Sequence, residues 1–367
     1  MNGYFDHNAT TPLHPAAREA WLRASEKHWC NPSSLYRDAG LASQQLEAAR
    51  ERLGTLIGAE AERIVLTSGA TESNNALFAD QLVAISAIEH PSVRMSARNA
   101  IDLPVNADGV VEPDAVMTLI AAQRPALVSV MAANNESGAL QPWREIAALC
   151  REQGVLFHTD AAQWIGKLDA TSLGECDFIT GSAHKFGGPK GCGFLVLPAE
   201  DSRLNFIRGG PQESGRRAGT ENYPAIEAMV TALEALTPRL AEIETAQSLR
   251  RDAFIAAMRA RFDNLRVISE AAPRLWNTVL MVMPAHDNLK WLTRLSRRGF
   301  SISTGSACSS GKEGSSVVVT ALGASAEELK RVVRISSGWD TSAEDWQALA
   351  AAFGEVFNEL NQGGRPQ

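Results

Sequence analysis

Two reactive side chains lie in stretches of small residues. Cys308 lies in STGSACSSG, residues 303–311, and Lys185 lies in SAHKFGGPKG, residues 182–191. A thiol in such a stretch acts either as a nucleophile or as a small apolar side chain that packs into the fold. A lysine that follows a buried strand is unusual and suits Schiff-base chemistry with an aldehyde, whereas a surface lysine is the ordinary alternative. The residues after the other apolar runs decide between these interpretations.

Polar residues follow each of five apolar runs between residues 60 and 200. In a parallel α/β sheet, ligands bind at the edge where the carboxyl ends of the strands meet. Five polar strand ends therefore predict one shared site. The runs and the residues after them are RIVLT before SGATESNN, LVAISAI before EHPSV, ALVSVMA before ANNESG, GVLFHTD before AAQ, and DFITGS before AHKFGGPKG.

The side chains at these strand ends suit a flat, phosphorylated ligand. The glycine turn before Thr71 opens a helix whose N–H groups favour phosphate, although taken alone a plain helix cap explains it better. Asp160 either pairs with a protonated ring nitrogen or caps the next helix. His90 stacks on a ring, moves protons, or is a structural histidine. Gln163 and Asn135 either donate to a ligand or tie loops together. With these neighbours, the lysine suits the aldehyde of pyridoxal phosphate (PLP).

Helical patterns alternate with the apolar runs and predict an α/β fold with a mostly parallel sheet. SQQLEAARERLGTLIG, residues 43–58, places an apolar face on a helix that ends at Gly58. PWREIAALCREQG begins with Pro142 and ends at Gly154, which is the usual asymmetry of helix ends. CGFLVLP, residues 192–198, predicts a sixth strand.

The last third of the chain predicts a smaller α+β domain. Two capping boxes are expected there, Ser325 with Glu328 and Thr341 with Glu344. The final helix shows apolar residues at helical spacing, namely Trp346, Leu349, Phe353, Val356 and Leu360.

Composition excludes several classes of protein. The chain has 367 residues with 35 basic and 42 acidic side chains, a net charge of −7, so we expect neither nucleic acid nor a membrane as partner. Five cysteines, at 30, 150, 176, 192 and 308, show no C-x-x-C spacing. We therefore expect no disulfide framework and no metal site, and a reducing, cytoplasmic location. The first residues do not resemble a signal peptide, and no apolar run reaches membrane-spanning length.

The chain resembles the cysteine desulfurases of the PLP-dependent class V aminotransferases. The resemblance covers nearly the whole chain and depends on the order and spacing of its motifs. It implies the PLP-transferase fold (fold type I), with a seven-stranded, mostly parallel sheet in a large domain, residues 16–245. Residues 1–15 and 246–367 would form the small domain, with the catalytic cysteine in a loop at about 301–316. The motifs are FDHNATTPLHP, NPSS, SGATESNN, EHPSV, NNESG, HTDAAQ, SAHKFGGPKG, GGPQESGRRAGTEN, STGSACSSG and VRISSG.

The resemblance also implies roles around the cofactor. Lys185 would bind PLP covalently, Asp160 would pair with the pyridine nitrogen, and Gln163 would hydrogen bond the ring oxygen. His90 would stack on the ring and take part in catalysis. The phosphate would be held by Ala70, Thr71, Ser182, His184 and, from the neighbouring subunit of a homodimer, Thr220.

L-Cysteine is the substrate that the resemblance implies. Asn135 and Arg334 would bind its carboxylate, with Asn31 nearby, because the planar fork of arginine binds both carboxylate oxygens. The Cys308 thiolate would attack the substrate sulfur, giving alanine and a persulfide on Cys308. A sulfur-acceptor protein would then receive the sulfur, for example in iron–sulfur cluster assembly.

Three alternatives remain open at this stage. The first is a selenocysteine lyase or another PLP-dependent C–S lyase, the second an ordinary aminotransferase, and the third a degenerate PLP fold that binds proteins. Some positions depart from the family's usual residues and affect substrate fit or loop geometry. They are Cys30, Leu35, Tyr36, Pro211 and Ser337.

Overall fold

The computed structural model describes residues 3–78, 81–198, 207–304 and 316–362. Cys308, and with it most of the expected cysteine loop, lies outside the described residues. The described chain forms one large sheet, one small sheet and the helices that cover them.

The large sheet has seven strands in the order β1-β7-β6-β5-β4-β2-β3, which confirms the predicted fold class. The neighbouring pairs from β6 to β3 are parallel, whereas β7 pairs antiparallel with both β6 and β1. Each of the six predicted apolar runs contains a strand, and β3 is an additional one. The strands are β1 Ile64–Thr67, β2 Val83–Ser86, β3 Ala100–Leu103, β4 Leu127–Ser129, β5 Leu156–Asp160, β6 Phe178–Ser182 and β7 Gly193–Val196.

Helices cover the sheets and bury their apolar faces. The helix predicted at 43–58 starts earlier, at Arg37, and ends as expected at Gly58, which has a left-handed backbone conformation (φ 69°). The described helices are α1 Pro15–Lys27, α2 Arg37–Ile57, α3 Ala70–Leu77, α4 Pro91–Arg94, α5 Pro113–Gln123, α6 Trp143–Glu152, α7 Tyr223–Leu236, α8 Leu240–Arg261, α9 Asn288–Arg297, α10 Val317–Ala321, α11 Ala326–Leu329 and α12 Ala343–Gln362.

The small sheet has three antiparallel strands in the order β10-β9-β8. Its core contains the apolar side chains predicted for the final helix, α12, which are all buried. The strands are β8 Arg266–Val267, β9 Thr278–Val282 and β10 Val332–Ser336. The predicted domain boundary between residues 245 and 246 lies inside α8, and the division into two domains stays a prediction.

One of the two predicted capping boxes is correct and the other is wrong. Ser325 and Glu328 form theirs at the start of α11. Before α12, Ser342 instead pairs with Asp345: the Asp345 N–H donates to Ser342 Oγ at 3.1 Å, and the Ser342 N–H donates to the Asp345 carboxylate at 3.0 Å. The Thr341 hydroxyl, predicted as the cap, accepts the Gly338 N–H at 2.9 Å and so belongs to the preceding turn.

The N-terminal segment, residues 3–11, connects the small sheet to the loop that carries Lys185. The Phe5 N–H donates to the Ser301 carbonyl at 2.8 Å, and Asp6 forms a β-bridge with Ser336 of β10. Five residues further on, the Thr11 N–H donates to the His184 carbonyl at 2.8 Å. The segment thus places Asn8 between the two sheets.

A buried ion pair fixes the segment after residue 207 against the large sheet. Arg50 of α2 donates to both carboxylate oxygens of Glu213, at 2.7 and 2.9 Å, and the Glu213 side chain is 1% exposed. The same carboxylate accepts the Leu66 N–H of β1 at 2.8 Å. Arg50 also contacts Glu47, whose side chain is 57% exposed. A carboxylate buried in this way requires its partner, because removing one charge leaves the other buried and uncompensated, which is destabilising.

Glu213→Gln should therefore lower the free energy of unfolding by about 3 kcal/mol, because it leaves the buried Arg50 with only the exposed Glu47 as a charged partner. Glu47→Gln is the matched control on the same arginine and should cost less than about 1 kcal/mol, because the Glu47 carboxylate is exposed to water. Urea denaturation of the two variants measures the difference, and equal losses would contradict the assignment of Glu213 as a fold-defining carboxylate.

Candidate active site

The carboxyl ends of the parallel strands border a cavity of about 840 Å³. The N-terminal segment and β10 close its other side. Parallel topology explains the location, because these strand ends meet at one edge of the sheet. Ten residues predicted for the site line the cavity, namely Ala70, Thr71, His90, Asn135, Asp160, Gln163, Ser182, His184, Lys185 and Arg334.

Lys185 ends a single turn of 3-10 helix that directly follows β6. Its Nζ donates to the carbonyls of Asn8 and Ala9, at 2.7 and 2.9 Å. The loop beyond it is braced by Thr11, whose hydroxyl donates to the His184 carbonyl and accepts the Gly187 N–H. The amine is thus half-buried and held at the cavity wall rather than directed into bulk solvent.

Asp160 ends β5 and is 6% exposed. Its carboxylate accepts the Asn74 side-chain amide at 2.9 Å and the Ala162 N–H at 3.0 Å. The Asn74 amide also donates to Ser92, and its oxygen accepts the Thr180 hydroxyl, so neighbouring strands and helices fix its orientation. A buried, oriented carboxylate of this kind suits a cationic ring nitrogen.

His90 is the N-cap residue of α4, and its Nδ1 accepts the Ser92 N–H at 3.1 Å. Because Nδ1 accepts a hydrogen bond, it carries no proton, and the single proton of the neutral ring lies on Nε2. Burial is the main cause that lowers the pKa of His90, with Lys185 contributing in the same direction and Asp160 opposing it. The ring is therefore neutral at pH 7 and available for stacking.

One end of the cavity is formed by the start of α3. Its N-cap is Gly69, which has φ 146° and lies next to Gly193 of β7. A Cβ on Gly193 would lie 2.6 Å from the Gly69 Cα, so glycine at 193 lets the strand pass the helix start, whereas Gly69 is favoured by its positive φ. Thr71 and Ser182 add hydroxyls to the lining, and helix N–H groups at such a terminus attract anions.

His184 is a neutral imidazole beside this end of the cavity. Its pKa is lowered to about 4, mainly by burial and then by Lys185, Lys190 and Lys167. Its Nδ1 lies 3.2 Å from the Thr10 hydroxyl. The ring therefore contributes a hydrogen-bonding group to the lining and no charge at pH 7.

Arg334 of β10 contributes the cation on the opposite side. Its Nη2 forms an ion pair with Asp6 at 2.6 Å, and its Nη1 donates to the Asn135 carbonyl at 3.1 Å. The arginine side chain is 2% exposed. Two elements from different parts of the chain thus hold its guanidinium at the cavity, where the planar fork suits a carboxylate.

The described ends of the segment that contains Cys308 both lie at this side of the cavity. Ser303 exchanges backbone hydrogen bonds with Arg334, at 2.7 and 3.0 Å. Ser316 lines the cavity, caps α10 and donates its hydroxyl to Glu136 at 2.6 Å. Residues close to Cys308 in sequence on both sides are thus positioned by the strand that carries Arg334 and by the cavity lining.

Asn31 and Thr220 do not line the cavity of this chain. Both are exposed, and the Asn31 side chain accepts the Ser33 N–H at 2.9 Å in a local turn. A single chain does not test their predicted roles. Thr220, in particular, was expected to bind the phosphate in the neighbouring subunit of a homodimer. Both assignments stay predictions.

Sequence reasoning missed residues that organise the site. Asn8 hydrogen bonds to seven other described residues and is 1% exposed. It lies in the recognised motif FDHNATTPLHP, but it was given no role there. Asp6 and Asn74 lie inside motifs that were recognised as FDHNATTP and SGATESNN without a role for these two members. Lys167 lies four residues after Gln163, and that i, i+4 spacing was the available signal.

The chemical groups around the cavity fit PLP. An amine, a buried carboxylate, a flat neutral imidazole and a glycine-lined helix start match, respectively, its aldehyde, ring nitrogen, ring face and phosphate.

In the described part of the chain, no group of three or more His, Cys, Asp or Glu residues could hold a metal ion. None of the helices among these residues is long and apolar enough to cross a membrane.

Comparisons with known proteins agree with this geometry. A cysteine desulfurase of Cereibacter sphaeroides is 37% identical over 360 residues, covering 93% of this chain and 92% of that protein. A solved NifS-like protein of Rickettsia africae has a TM-score of 0.89 at 31% identity, covering 98% of this chain and 100% of that one. SspA in complex with cysteine has a TM-score of 0.77 at 30% identity, covering 91% and 98%.

The family assignment follows from a match that spans both sheets. The model of the family described as aminotransferase class-V matches residues 3–349, from the N-terminal segment into the final helix. With an amine, a buried carboxylate and a helix start gathered at the ends of its parallel strands, the chain belongs to the class-V aminotransferase family.

Proposed function

We propose that this protein is a PLP-dependent cysteine desulfurase, which converts L-cysteine to L-alanine and carries the sulfur as a persulfide on Cys308. The observation that supports it most is the joint placement of Lys185, Asp160 and Arg334 around one cavity. These are an amine for a cofactor aldehyde, a carboxylate for its ring nitrogen and a cation for an amino-acid carboxylate. Relatives named cysteine desulfurase over most of the chain's length support the same activity.

The chain's own residues hold the cofactor at fixed points. Lys185 provides the amine to which PLP attaches, Asp160 keeps the ring nitrogen protonated, and His90 lies against the ring. Gln163 donates to the ring oxygen, and the start of α3 with Ser182, His184 and Thr71 holds the phosphate. Bound in this way, PLP supplies an electron sink that makes the bonds at the substrate α-carbon easier to break.

Arg334 and Asn135 bind and orient the substrate carboxylate. Asp6 fixes the guanidinium from one side, so the arginine meets the substrate in a preset direction. Lys185, whose Nζ is held at the cavity wall, would accept the α-proton of the substrate. The binding of cysteine by SspA, a structurally similar protein, supports L-cysteine as the substrate of this chain.

Cys308 completes the reaction as the nucleophile. Its thiolate attacks the substrate sulfur, so that an S–S bond forms while the C–S bond breaks. The electron pair of the C–S bond stays on the substrate carbon, which is then protonated, and alanine leaves. On either side of the cysteine in the sequence, Ser303 pairs with the cavity-lining Arg334 and Ser316 itself lines the cavity, which supports access of the thiol to the substrate.

A homodimer in the cytoplasm is the setting we propose. Thr220, exposed in the single chain, reaches the phosphate of the neighbouring subunit. A thiol that must stay reduced between turnovers suits a reducing compartment. The persulfide is passed to an acceptor protein, for example in iron–sulfur cluster assembly.

Lys185→Ala should abolish the visible absorption of the PLP-loaded protein and its desulfurase activity, because Lys185 is the amine that the Asn8 and Ala9 carbonyls hold at the cavity wall. Absorption spectra and borohydride reduction followed by peptide mapping measure this. Lys330→Ala, on an exposed lysine, is the control and should change neither. A borohydride-reducible adduct that persists in Lys185→Ala would refute the assignment.

Cys308→Ala should reduce alanine production from L-cysteine to background, because the thiol that takes the sulfur is missing. The absorption spectrum of the cofactor should stay unchanged. Cys176→Ala removes another free cysteine, one that does not line the cavity, and should leave the rate intact. Sulfur release at the full rate by Cys308→Ala would instead favour the C–S lyase or selenocysteine lyase alternative.

Thr220→Ala should weaken PLP binding by about 10-fold or more, because a hydrogen bond to a charged phosphate is lost. Hybrid dimers with Lys185→Ala test whether it acts across the interface. One site of each hybrid then combines an intact lysine with an intact Thr220 from the other chain, so it should bind PLP with wild-type affinity. Weak binding at that site after verified subunit exchange would contradict a shared phosphate cup.

A further inference from the structure

A second lysine, Lys167, lies behind the cavity and is not explained by the reaction. It is 3% exposed, and its Nζ donates to the side-chain oxygens of Gln163 and Asn8, the latter at 3.4 Å. Both acceptors are uncharged amide oxygens. Lysine is rarely buried without a carboxylate partner, because desolvating its charge is costly. Stability alone therefore gives no reason for an amine at this position.

The charged neighbours of Lys167 make the position more costly still. Burial lowers the pKa of Lys167 well below 10.5, and Lys185 and Arg334 lower it further. In turn, Lys167 lowers the pKa values of His7 and His184, where burial remains the larger cause. The amine is thus placed among cations and neutral imidazoles, where a structural residue would more naturally be apolar.

The backbone before Lys167 is shaped to bring the residue to this point. Gly166 has φ 75°, and a Cβ there would lie 2.3 Å from the Cβ of Phe186, the neighbour of Lys185. The turn after β5 therefore packs directly against the loop that carries Lys185. The Lys167 carbonyl accepts the Trp276 indole N–H at 2.9 Å, which fixes the turn from the other side.

Two neighbours of opposite hydrogen-bonding character surround the Gln163 carboxamide. Lysine Nζ only donates, so it must face the amide oxygen, and the Asn8 carbonyl only accepts, so it must face the amide nitrogen. The Gln163 Nε2 donates to that carbonyl at 2.9 Å. One amide proton is then used, and the second remains for the cavity that Gln163 lines.

We propose that Lys167 is a positioning residue, which acts through Gln163 to fix its carboxamide so that an N–H is presented to the ring oxygen of PLP. The inference rests on the proposed function, because it takes PLP as the ligand that Gln163 faces. Lys167 does not itself line the cavity, so its effect on the cofactor passes through the glutamine.

The pH titration of the visible absorption of PLP-loaded protein tests this role. An N–H donated to the ring oxygen stabilises its negative charge and so disfavours protonation of the Lys185–PLP linkage. Lys167→Met should raise the apparent pKa of that linkage by about one unit, the amount expected for losing a hydrogen bond to a charged group. Lys330→Met, an exposed lysine, is the control and should give the wild-type curve.

A double-mutant cycle separates action through Gln163 from any other effect. In a Gln163→Met background, adding Lys167→Met should shift the titration by less than half as much as it does alone. Equal shifts in both backgrounds would overturn the proposal, as would an unshifted curve in Lys167→Met itself. A wild-type protein that stays colourless with PLP would count against the proposed function instead.

Thermal unfolding of the apo-protein distinguishes positioning from a structural role. Lys167→Met should unfold within about 4 °C of the wild type, because the lost hydrogen bond is offset by removal of a buried amine. A much larger loss together with an unshifted titration would assign Lys167 to structure. If Lys167→Met does not fold, Lys167→Gln takes its place in the same cycle and should shift the titration in the same direction.

Discussion

The site depends on the insertion of Asn8 between the two sheets. Its carbonyl accepts from both Lys185 and Gln163, and its side chain contacts the Asn135 carbonyl and the Lys167 amine. Groups assigned to the cofactor and to the substrate are thereby tied to one buried residue. Because its segment also pairs with β10, the position of Lys185 is coupled to that of the strand that carries Arg334.

The parallel sheet is the part that sequence reasoning predicted best. Its strands are short apolar runs bounded by helices, and such a pattern leaves few alternatives to an α/β fold. The same topology brings Asp160, His90 and Lys185 to one edge, so their proximity follows from the strand order alone. The family resemblance is confirmed by the class-V aminotransferase match over residues 3–349. The use of these residues as a PLP site was implied by that resemblance and stays a proposal.

What the sequence could not predict depends on contacts between distant residues. Asn8 and Thr278, joined at 2.8 Å, lie 270 positions apart, and no local pattern links them. Arg334 was expected to bind substrate, but its partner Asp6 lies at the other end of the chain. At the start of α12, two overlapping capping patterns compete, and hydrogen bonding of Thr341 to the preceding turn decides in favour of Ser342. Such choices are made by tertiary structure.

The proposed reaction needs two parts of the protein, namely the cavity that binds cofactor and substrate and the thiol of Cys308. Lys185 and Asp160 are held by the buried Asn8 and Asn74, and Arg334 by the partly exposed Asp6, whereas Cys308 lies outside the described residues. The claim that joins the two parts is that sulfur leaves the substrate for this cysteine. Mass spectrometry of the protein after a single turnover with L-cysteine tests it most directly. The account predicts one added sulfur on the peptide that contains Cys308 and one alanine per active site; alanine formed with the sulfur released free, and that peptide unchanged, would contradict it.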